Sequence, residues 1–592
     1  MKNQRDKGAE GAAGVDSDHE AAQYRQERYP RRGERLAIPA ILLALLLLAG
    51  LTVLLPEGRE DVPTELAYLY AAAEAHERTA VGGLIDIEDA WAIEDERQEA
   101  QAPLVRSMFN GDSALGYDAG SDTFYCTLGV EHEDDWPELA LSVEDAHGVT
   151  VVWIDDYAYD FCTDAIREGY RYELLAYTDT EYAYFGVVFT GLPIITWHTY
   201  DETEPIGDEY VQGRASVSSA QHEAVNSAAQ IHLRGGGAPK PIDKPSYHLE
   251  FHGLSRKGQD KNSDYAVLGM EPDSDWLLLS EASDRTTIIN DLCWKMWRMW
   301  NEGENVPCQL NSEMLELFVN DEYTGIYELM PCIRADKEIE RIGGNLNTDC
   351  VSRALRRVND NFDACERPLI DFRDTIETML EVRYMPEYFS EERVQQLFEA
   401  YEQLERSGEL ALSDEVFTES VQSLVDTRQA MSYFLFFHVC QLSWDYFYNN
   451  RYIWMICEDD GYRMMITPWD MDIGMGNIEE MKNGDYFFIG QVMEERMLDL
   501  NVDGCRDILW SIWEEKKETL LTETALYAWI RGEEEYINSS GAYLRESEKW
   551  YGEAEELDLS EMYERELGHI GTVEVFLREL WPSSEMVAAK AQ

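Results

Sequence analysis

The side chains best suited to chemistry in this chain are acids and amides that flank two β-like runs, Arg451 to Cys457 and Tyr462 to Trp469. The turn Glu458 to Gly461 joins the runs, and aspartate before glycine at such a position is typical of a β-hairpin. Because a tight hairpin brings its two ends together, the polar residues before the first run and after the second are expected to face one site. They are Asp445, Asn450, Asp470 and Asp472.

Carboxylates and an amide at one strand end form a hard-oxygen site, which suits Mg²⁺ or Mn²⁺. Phosphoryl transfer uses such a site: one Asp accepts the proton of the acceptor hydroxyl, while an Asn and another Asp hold the metal. The spacing from Asp445 to Asn450 is that of the catalytic loop of protein kinases. The alternative is structural, because Asp and Asn are common in turns, where they cap and tolerate left-handed geometry.

A resemblance to a known family favours the catalytic interpretation. Trp469-Asp470-Met471-Asp472, followed by Gly474 and Gly476, resembles the spore coat protein H (CotH) kinase-like family. Further segments occur in the family's order and extend the resemblance over about residues 220 to 480. They are residues 231–237, 244–251, 275–279 and 315–327. The resemblance implies an α+β, two-lobed, atypical protein serine/threonine kinase on the secreted side of the cell, with ATP as donor.

The resemblance also assigns roles. Asp445 is the expected catalytic residue, and Asn450, Asp470 and Asp472 are the expected ligands of Mg²⁺ or Mn²⁺. Lys244 matches the position of the family's lysine near the nucleotide phosphates. The acid that would pair with this lysine stays open between Glu281, Asp284 and Asp291.

A glycine-rich turn is a second candidate for phosphate contact. Arg234, Gly235 and Gly236 follow a β-like run, and glycines let backbone amides approach phosphates closely. Two departures touch the same expected cleft: Ala238 stands where relatives carry Ser, and Pro331 where they tend to have Glu. Both departures favour the alternative of a degenerate, non-catalytic kinase-like fold.

Composition excludes one class of partner. The 592 residues carry a formal net charge of −67, and nucleic-acid binding depends on Lys and Arg, so no nucleic-acid partner is expected. The ten cysteines show no CxxC spacing, which argues against a zinc cluster. Cys350 and Cys365 bracket a charged stretch and are the first candidates for a disulfide.

The N-terminal region has the features of a membrane anchor. Residues 1–35 form a polar tail that ends in several arginines, and residues 36–55 are almost entirely aliphatic and long enough to span a bilayer. The basic flank predicts a cytoplasmic tail and places the bulk of the chain outside the cytoplasm. A cleaved signal peptide is the alternative, although its apolar core is usually about 7–15 residues. Residues 56–104 are predicted to form a helical stalk.

Two larger regions follow. Residues 105–218 contain short β-like runs and predict a small, mainly antiparallel, β-sandwich-like domain. Residues 219–582 form the kinase-like domain, in which the stretch from Arg334 to Arg428 and the acidic C-terminal part are expected to be helical. Residues 583–592 are expected to be a frayed tail.

Three functional hypotheses result. The first is a membrane-anchored, outward-facing kinase that transfers phosphoryl from ATP to Ser or Thr of surface or coat proteins. The second is a non-catalytic cell-surface structural or binding protein. The third is a glycoside hydrolase that uses an acid pair, for which the separation of the carboxylates would be diagnostic. The oligomeric state is left open.

Overall fold

A computed structural model describes most of the chain beyond residue 77. The described ranges are residues 78–130, 139–144, 148–154, 161–201, 204–235, 242–252, 264–356, 369–371, 378–442, 449–459, 461–477 and 492–590. The predicted tail and anchor therefore lie outside the described residues, as do Asp445, Gly236, Ala238 and Cys365. No helix within these ranges is long and apolar enough to cross a membrane.

The first part is a pair of sheets over a shared apolar core that includes Phe124, Leu174 and Val187. One sheet has the order β1-β7-β3-β4, and the other has the order β5-β6-β10-β9-β8 with β2 on β10. The bounds are β1 Arg78–Ala80, β2 Gln98–Glu99, β3 Met108–Asn110, β4 Ser113–Ala114, β5 Gly116–Asp118, β6 Thr123–Thr127, β7 Leu141–Glu144, β8 Thr150–Trp153, β9 Arg171–Tyr177 and β10 Glu181–Thr190, with helices α1 Ile87–Asp95 and α2 Cys162–Arg167. The predicted strands are present, and most pairs are antiparallel, but β6 and β2 pair with β10 in parallel.

Seven strands then close into a barrel in the order β11-β12-β13-β14-β15-β17-β16. Alternate side chains fill one apolar core, among them Trp197, Trp276 and Leu329. The predicted boundary after residue 218 cuts through this barrel, because β11 and β12 hydrogen-bond to the later strands β16 and β13. The bounds are β11 Ile194–Thr199, β12 Val211–Ser218, β13 Val225–Arg234, β14 Ser246–Phe251, β15 Asp275–Leu279, β16 Glu313–Val319 and β17 Glu322–Pro331.

Helix α3, Ile289–Trp300, follows β15 and packs its buried face against the remainder of the chain. The Asp284 carboxylate accepts hydrogen bonds from the backbone N–H groups of Ile288 and Ile289, which fixes the start of the helix. Trp294, Trp297 and Trp300 are almost completely buried, so they are packing residues.

Residues 350–384 contribute three strands of a five-stranded sheet, where the sequence predicted helix after Arg334. Only helix α4, Ala335–Arg341, fits that prediction before β18. The register places Arg353 opposite Glu381, and their side chains form an ion pair of 2.8 Å. Charged cross-strand partners of this kind obscured the apolar alternation of the strands. The order is β19-β20-β18-β21-β22, with bounds β18 Cys350–Arg356, β19 Leu369–Asp371, β20 Thr378–Tyr384, β21 Arg451–Glu458 and β22 Gly461–Pro468.

The C-terminal part is helical and shares one large core with α3 and this sheet. The expected frayed tail is wrong in part, because residues 584–590 form a helix whose first backbone N–H donates to Asp507. The described part of the chain is therefore a mixed α+β protein. The helices are α5 Glu391–Glu405, α6 Asp414–Leu424, α7 Thr427–Val439, α8 Met493–Leu500, α9 Cys505–Thr519, α10 Glu523–Ser539, α11 Ala542–Tyr551, α12 Ser560–Leu580 and α13 Ser584–Lys590, with short 3₁₀ turns at Val267–Gly269, Gly408–Leu410 and Val502–Gly504.

Candidate active site at the open end of a hairpin

The hairpin of β21 and β22 joins two of the predicted site residues. Its register pairs Arg451 with Pro468, so Asn450 and Asp470 flank the same open end. The Trp469 N–H donates to the Asn450 carbonyl oxygen at 2.9 Å, and the Asn450 amide donates to the Asp470 carbonyl oxygen at 3.4 Å. Residues that lie twenty positions apart in sequence are thus neighbours, as the hairpin pattern predicted.

Left-handed backbone conformations cluster at this point. Asn450 has φ of 49°, Asp470 of 57° and Glu281 of 48°. Such conformations cost a non-glycine residue roughly 1–3 kcal/mol each and persist where the surrounding structure imposes them. Asn and Asp tolerate the conformation better than Glu does. The strain fixes the direction in which these three side chains leave the backbone.

Two buried glutamates extend the acid cluster. Glu281 lies just beyond β15, and Glu328 lies on β17; both side chains are buried. Burial raises the pKa of Glu281 well above its usual value, and the charges of Glu328, Asp472 and Asp470 raise it further. Burial, followed by the charge of Asp291, raises the pKa of Glu328 to about 8. Glu281 Oε2 and Glu328 Oε1 have no hydrogen-bond partner within the described ranges.

Asn290 connects this cluster to the segment after β22. Its side-chain amide donates to Glu328 Oε2 at 2.7 Å, and its side-chain oxygen accepts from the Met471 N–H at 2.7 Å. The peptide between Asp470 and Asp472 is therefore held by the first turn of α3. This contact positions both aspartates relative to the barrel, although the three elements are far apart in sequence.

A cation stands beside Trp469, the residue that precedes Asp470. Arg234, the last residue of β13, has its guanidinium carbon 5.1 Å from the centroid of the Trp469 ring, which is within the range of a cation–π contact. Gly235 follows with φ of 76°. The two residues predicted to contact phosphate therefore lie next to the strand end that leads to Asp470.

Lys244 is enclosed. Its ammonium donates to Glu546 Oε1 at 2.7 Å and to the Ile326 carbonyl oxygen at 2.6 Å, and neither charged side chain has exposed surface. Burial lowers the pKa of Lys244, and attraction to Glu546 opposes that shift. The ion-pair partner is thus on α11, and not Glu281, Asp284 or Asp291. A phosphate could reach this ammonium only if α11 moved.

Helix α11 fits closely onto β17 around that pair. Glu546 also accepts a hydrogen bond from the Ile326 N–H at 2.7 Å, and the Trp550 indole donates to the Thr324 carbonyl oxygen at 3.1 Å. Gly325 has φ of 106°, and a Cβ there would collide with the Glu546 carboxylate. Glycine is therefore required at position 325 both for its backbone conformation and for the close approach of the helix.

The donor set of the hairpin site suits a hard divalent cation. Carboxylates of Asp470, Asp472 and Glu281 and the amide of Asn450 are oxygen ligands, and two carboxylate oxygens in the buried acid cluster lack a partner that a cation would provide. Within the part of the chain that the structure describes, no three acidic, His or Cys side chains already converge at coordination distance. The chemistry of the donors fits Mg²⁺ or Mn²⁺.

Sequence reasoning missed Glu328, Asn290 and Glu546. A glutamate within the apolar run of β17 is an unusual choice, since charged residues are rarely buried without a partner, and this was the available signal for Glu328. Asn290 and Glu546 carried no local signal. Of the predicted residues, Asn450, Asp470, Asp472, Arg234 and Gly235 belong to this site, Lys244 is enclosed by α11, and Asp445 and Gly236 lie outside the described residues.

The described residues form an α+β protein. At the end of its β21–β22 hairpin, acidic residues with left-handed backbone conformations lie near Arg234, the last residue of barrel strand β13. Residues 231–573, more than half of the chain, match a family model described as CotH kinase protein. The chain therefore belongs to the CotH kinase family, as the resemblance predicted. A comparison with curated proteins gave no match.

Proposed function

We propose that this protein is a metal-dependent atypical protein kinase that transfers the γ-phosphoryl group of ATP to Ser or Thr hydroxyls of protein substrates. The observation that carries the proposal is the meeting of Asn450 with Asp470 at the hairpin's open end, beside Arg234, in a member of the CotH kinase family. Protein kinases hold their metal ions with an Asn of the catalytic loop and an Asp that follows it in sequence.

Each residue has a separate task in this proposal. Asn450, Asp470 and Asp472 would hold Mg²⁺ or Mn²⁺, which neutralises charge on the transferred phosphate when bound. Arg234 and the backbone amides of Gly235 and Gly236 would contact the phosphates. Asp445 would accept the proton of the substrate hydroxyl.

The buried glutamates explain why a cation would be favoured. Like charges in a poorly solvated site cannot all ionise at neutral pH without a counter-ion, so some must hold a proton. A divalent cation that binds the carboxylates would displace those protons. The raised pKa values of Glu281 and Glu328 are the expected condition of such a site in the absence of a cation.

We further propose that residues 36–55 anchor the protein in the membrane and that the kinase domain faces outward, towards surface or coat proteins. The support is the aliphatic run with its basic N-terminal flank. When protease is added to intact cells, we expect it to digest the kinase domain and to leave the tail intact. If the protease digests neither the tail nor the kinase domain, the proposal of an outward-facing domain is contradicted.

The test of catalysis is transfer of labelled phosphate from ATP to protein with Mg²⁺ or Mn²⁺. The wild type is expected to transfer label, and Asp445→Asn and Asp470→Asn are expected to abolish it. Asp459→Asn, in the exposed turn at the opposite end of the same hairpin, is the matched control and should retain activity. The kinase proposal is rejected if the wild type transfers no labelled phosphate, or if the wild type and all variants transfer equal amounts.

A second candidate is a non-catalytic binding protein with a kinase-like fold. The enclosure of Lys244 by Glu546 favours it, because this lysine is then unavailable to phosphates unless α11 moves. Nucleotide that binds without transfer of label would support the second candidate over the first.

A further inference from the structure

A second cluster of titratable side chains lies on the barrel around His248 of β14. Two groups face its Nδ1 atom: the Tyr210 hydroxyl at 2.9 Å and His232 Nε2 at 3.0 Å. Two groups face its Nε2 atom: Cys332 Sγ at 3.4 Å and Asp275 Oδ1 at 3.5 Å. A thiol, two imidazoles, a phenol and a carboxylate therefore meet outside the acid-rich hairpin site.

The direction of the hydrogen bonds follows from His232. Its Nδ1 lies 2.7 Å from the Leu233 carbonyl oxygen, which can only accept, so Nδ1 carries a proton. Burial lowers the pKa of His232, so the ring is neutral and its Nε2 is an acceptor. His248 must then donate from Nδ1. The remaining nitrogen of His248, Nε2, is the one that exchanges a proton with Cys332.

The surroundings favour the protonated form of His248. Burial alone would lower its pKa, but the hydrogen bonds to Asp275 and Cys332 outweigh burial and raise the pKa to about 9. His248 Nε2 faces the thiol at 3.4 Å and the carboxylate at 3.5 Å. An imidazolium beside a cysteine stabilises the thiolate, which is the nucleophilic form.

We propose that Cys332 is a reactive thiol that exchanges with small disulfides. The Cys332 thiolate attacks one sulfur of the disulfide, a new S–S bond forms to Cys332 as the original S–S bond breaks, and the released thiolate takes a proton from His248 or from water. Cys332 is oxidised and the departing thiol is reduced, so electrons balance. The proposal does not depend on phosphoryl transfer.

The cysteine lies at the surface of the barrel rather than in its core. Cys332 is partly exposed, and the side chain of Tyr210 on the other side of His248 is 40% exposed. The guanidinium of Arg383 also lies within electrostatic range of the Cys332 thiol and adds positive charge. The cluster thus presents a cation-flanked sulfur at the barrel surface, just after the end of β17.

Cys457 provides an internal comparison. It is exposed, so it is more accessible than Cys332, but its sulfur lies 3.8 Å from the Glu458 carbonyl oxygen in an acidic turn. Accessibility alone predicts that Cys457 reacts faster. Activation by His248 predicts the opposite order at slightly acidic pH, where an ordinary thiol is largely protonated.

The test is site-resolved mass spectrometry of the native full-length protein after timed exposure to 2,2′-dipyridyl disulfide between pH 5.5 and 8.5. Cys332 is expected to react about tenfold faster than Cys457 at pH 6, because His248 Nε2 lies 3.4 Å from the attacking sulfur and stabilises negative charge there. His248→Gln is expected to remove most of that advantage, with unfolding curves confirming that the barrel stays folded. Cys457→Ser serves as the control that leaves Cys332 unchanged.

The outcomes separate the interpretations. A Cys332 rate that is below that of Cys457 at pH 6, or that follows the same pH profile, overturns the proposal without need of any variant. An unchanged Cys332 rate in folded His248→Gln also overturns it, as does a Cys332 already joined to another cysteine in the purified protein. The proposal is supported if Cys332 of the wild type reacts faster than Cys457 at a rate that changes little with pH, and if the Cys332 rate depends steeply on pH in His248→Gln.

Discussion

Two buried groups of charges on neighbouring barrel strands are built in opposite ways. Around Lys244, an ammonium meets the carboxylate of Glu546, and both are fully enclosed and hydrogen-bonded. Around Glu281, acids gather with other acids, and two carboxylate oxygens have no partner within the described ranges. The first group joins α11 to the barrel, whereas the second brings like charges together and so raises the pKa values of its glutamates.

The contrast indicates what each group is for. A satisfied ion pair holds two elements together, and removal of one partner leaves a buried charge that is costly. A strained cluster of like charges lowers stability and is retained where function requires it. Stability and activity should therefore respond in opposite directions when the two groups are altered, and four predictions test this.

The largest effect is expected at Asp470. Asp470→Asn should lower the rate of phosphoryl transfer by about 10³-fold, since charge neutralisation and positioning supply most of the catalysis. The same substitution should leave thermal stability unchanged or higher, because it removes one of several like charges. Turnover and thermal unfolding of one preparation provide both values. If Asp470→Asn loses activity only in proportion to its loss of folded protein, the claim that the acid cluster serves activity rather than stability is contradicted.

Glu546 should show the reverse. Glu546→Gln leaves Lys244 without a counter-charge and should lower the free energy of unfolding by about 3–5 kcal/mol. The matched control is Glu322→Gln, which removes the ion pair between the exposed Glu322 of β17 and Lys549 of the same helix α11, and should cost less than about 1 kcal/mol. Urea unfolding measures both. Equal effects would show that burial of the pair contributes no special stability.

The acid cluster should make stability depend on pH. Glu328 has a pKa of about 8 in the folded protein against an ordinary value of 4.5, so the native state keeps a proton that the unfolded chain releases. Its contribution is fully present below about pH 4.5 and is lost as pH rises through about 8. The stability difference between the wild type and Glu328→Gln, measured in chelator, should therefore change steadily between these limits. A difference independent of pH would refute the assignment.

Divalent cations should produce the smallest effect, a modest rise in unfolding temperature. A cation at a hundred times its dissociation constant stabilises the native state by about 2.7 kcal/mol if it does not bind the unfolded chain. Mg²⁺ or Mn²⁺ should raise the unfolding temperature of the wild type more than that of Asp470→Asn. KCl at equal ionic strength controls for general screening of the net charge of −67. An equal rise with KCl would exclude a specific site.

The sequence predicted what local pattern encodes. The β21–β22 hairpin was expected, because its turn residues and apolar runs lie within one short stretch. Glu546 could not be predicted, since it meets Lys244 across 302 residues. The strands β18 to β20 were missed because the ion pairs between them form only once the strands lie side by side. The barrel boundary was missed because β11 pairs with a strand more than one hundred residues later.

The most direct test of the central claim is equilibrium dialysis of labelled ATP against the wild type, Asp470→Asn and the control Asp459→Asn, with Mn²⁺ or with chelator. If the acids at the hairpin's open end bind nucleotide through a divalent cation, the wild type and Asp459→Asn will retain ATP only when Mn²⁺ is present, and Asp470→Asn will retain little under either condition. Retention that persists in chelator, or that is equal in Asp470→Asn, would contradict the claim.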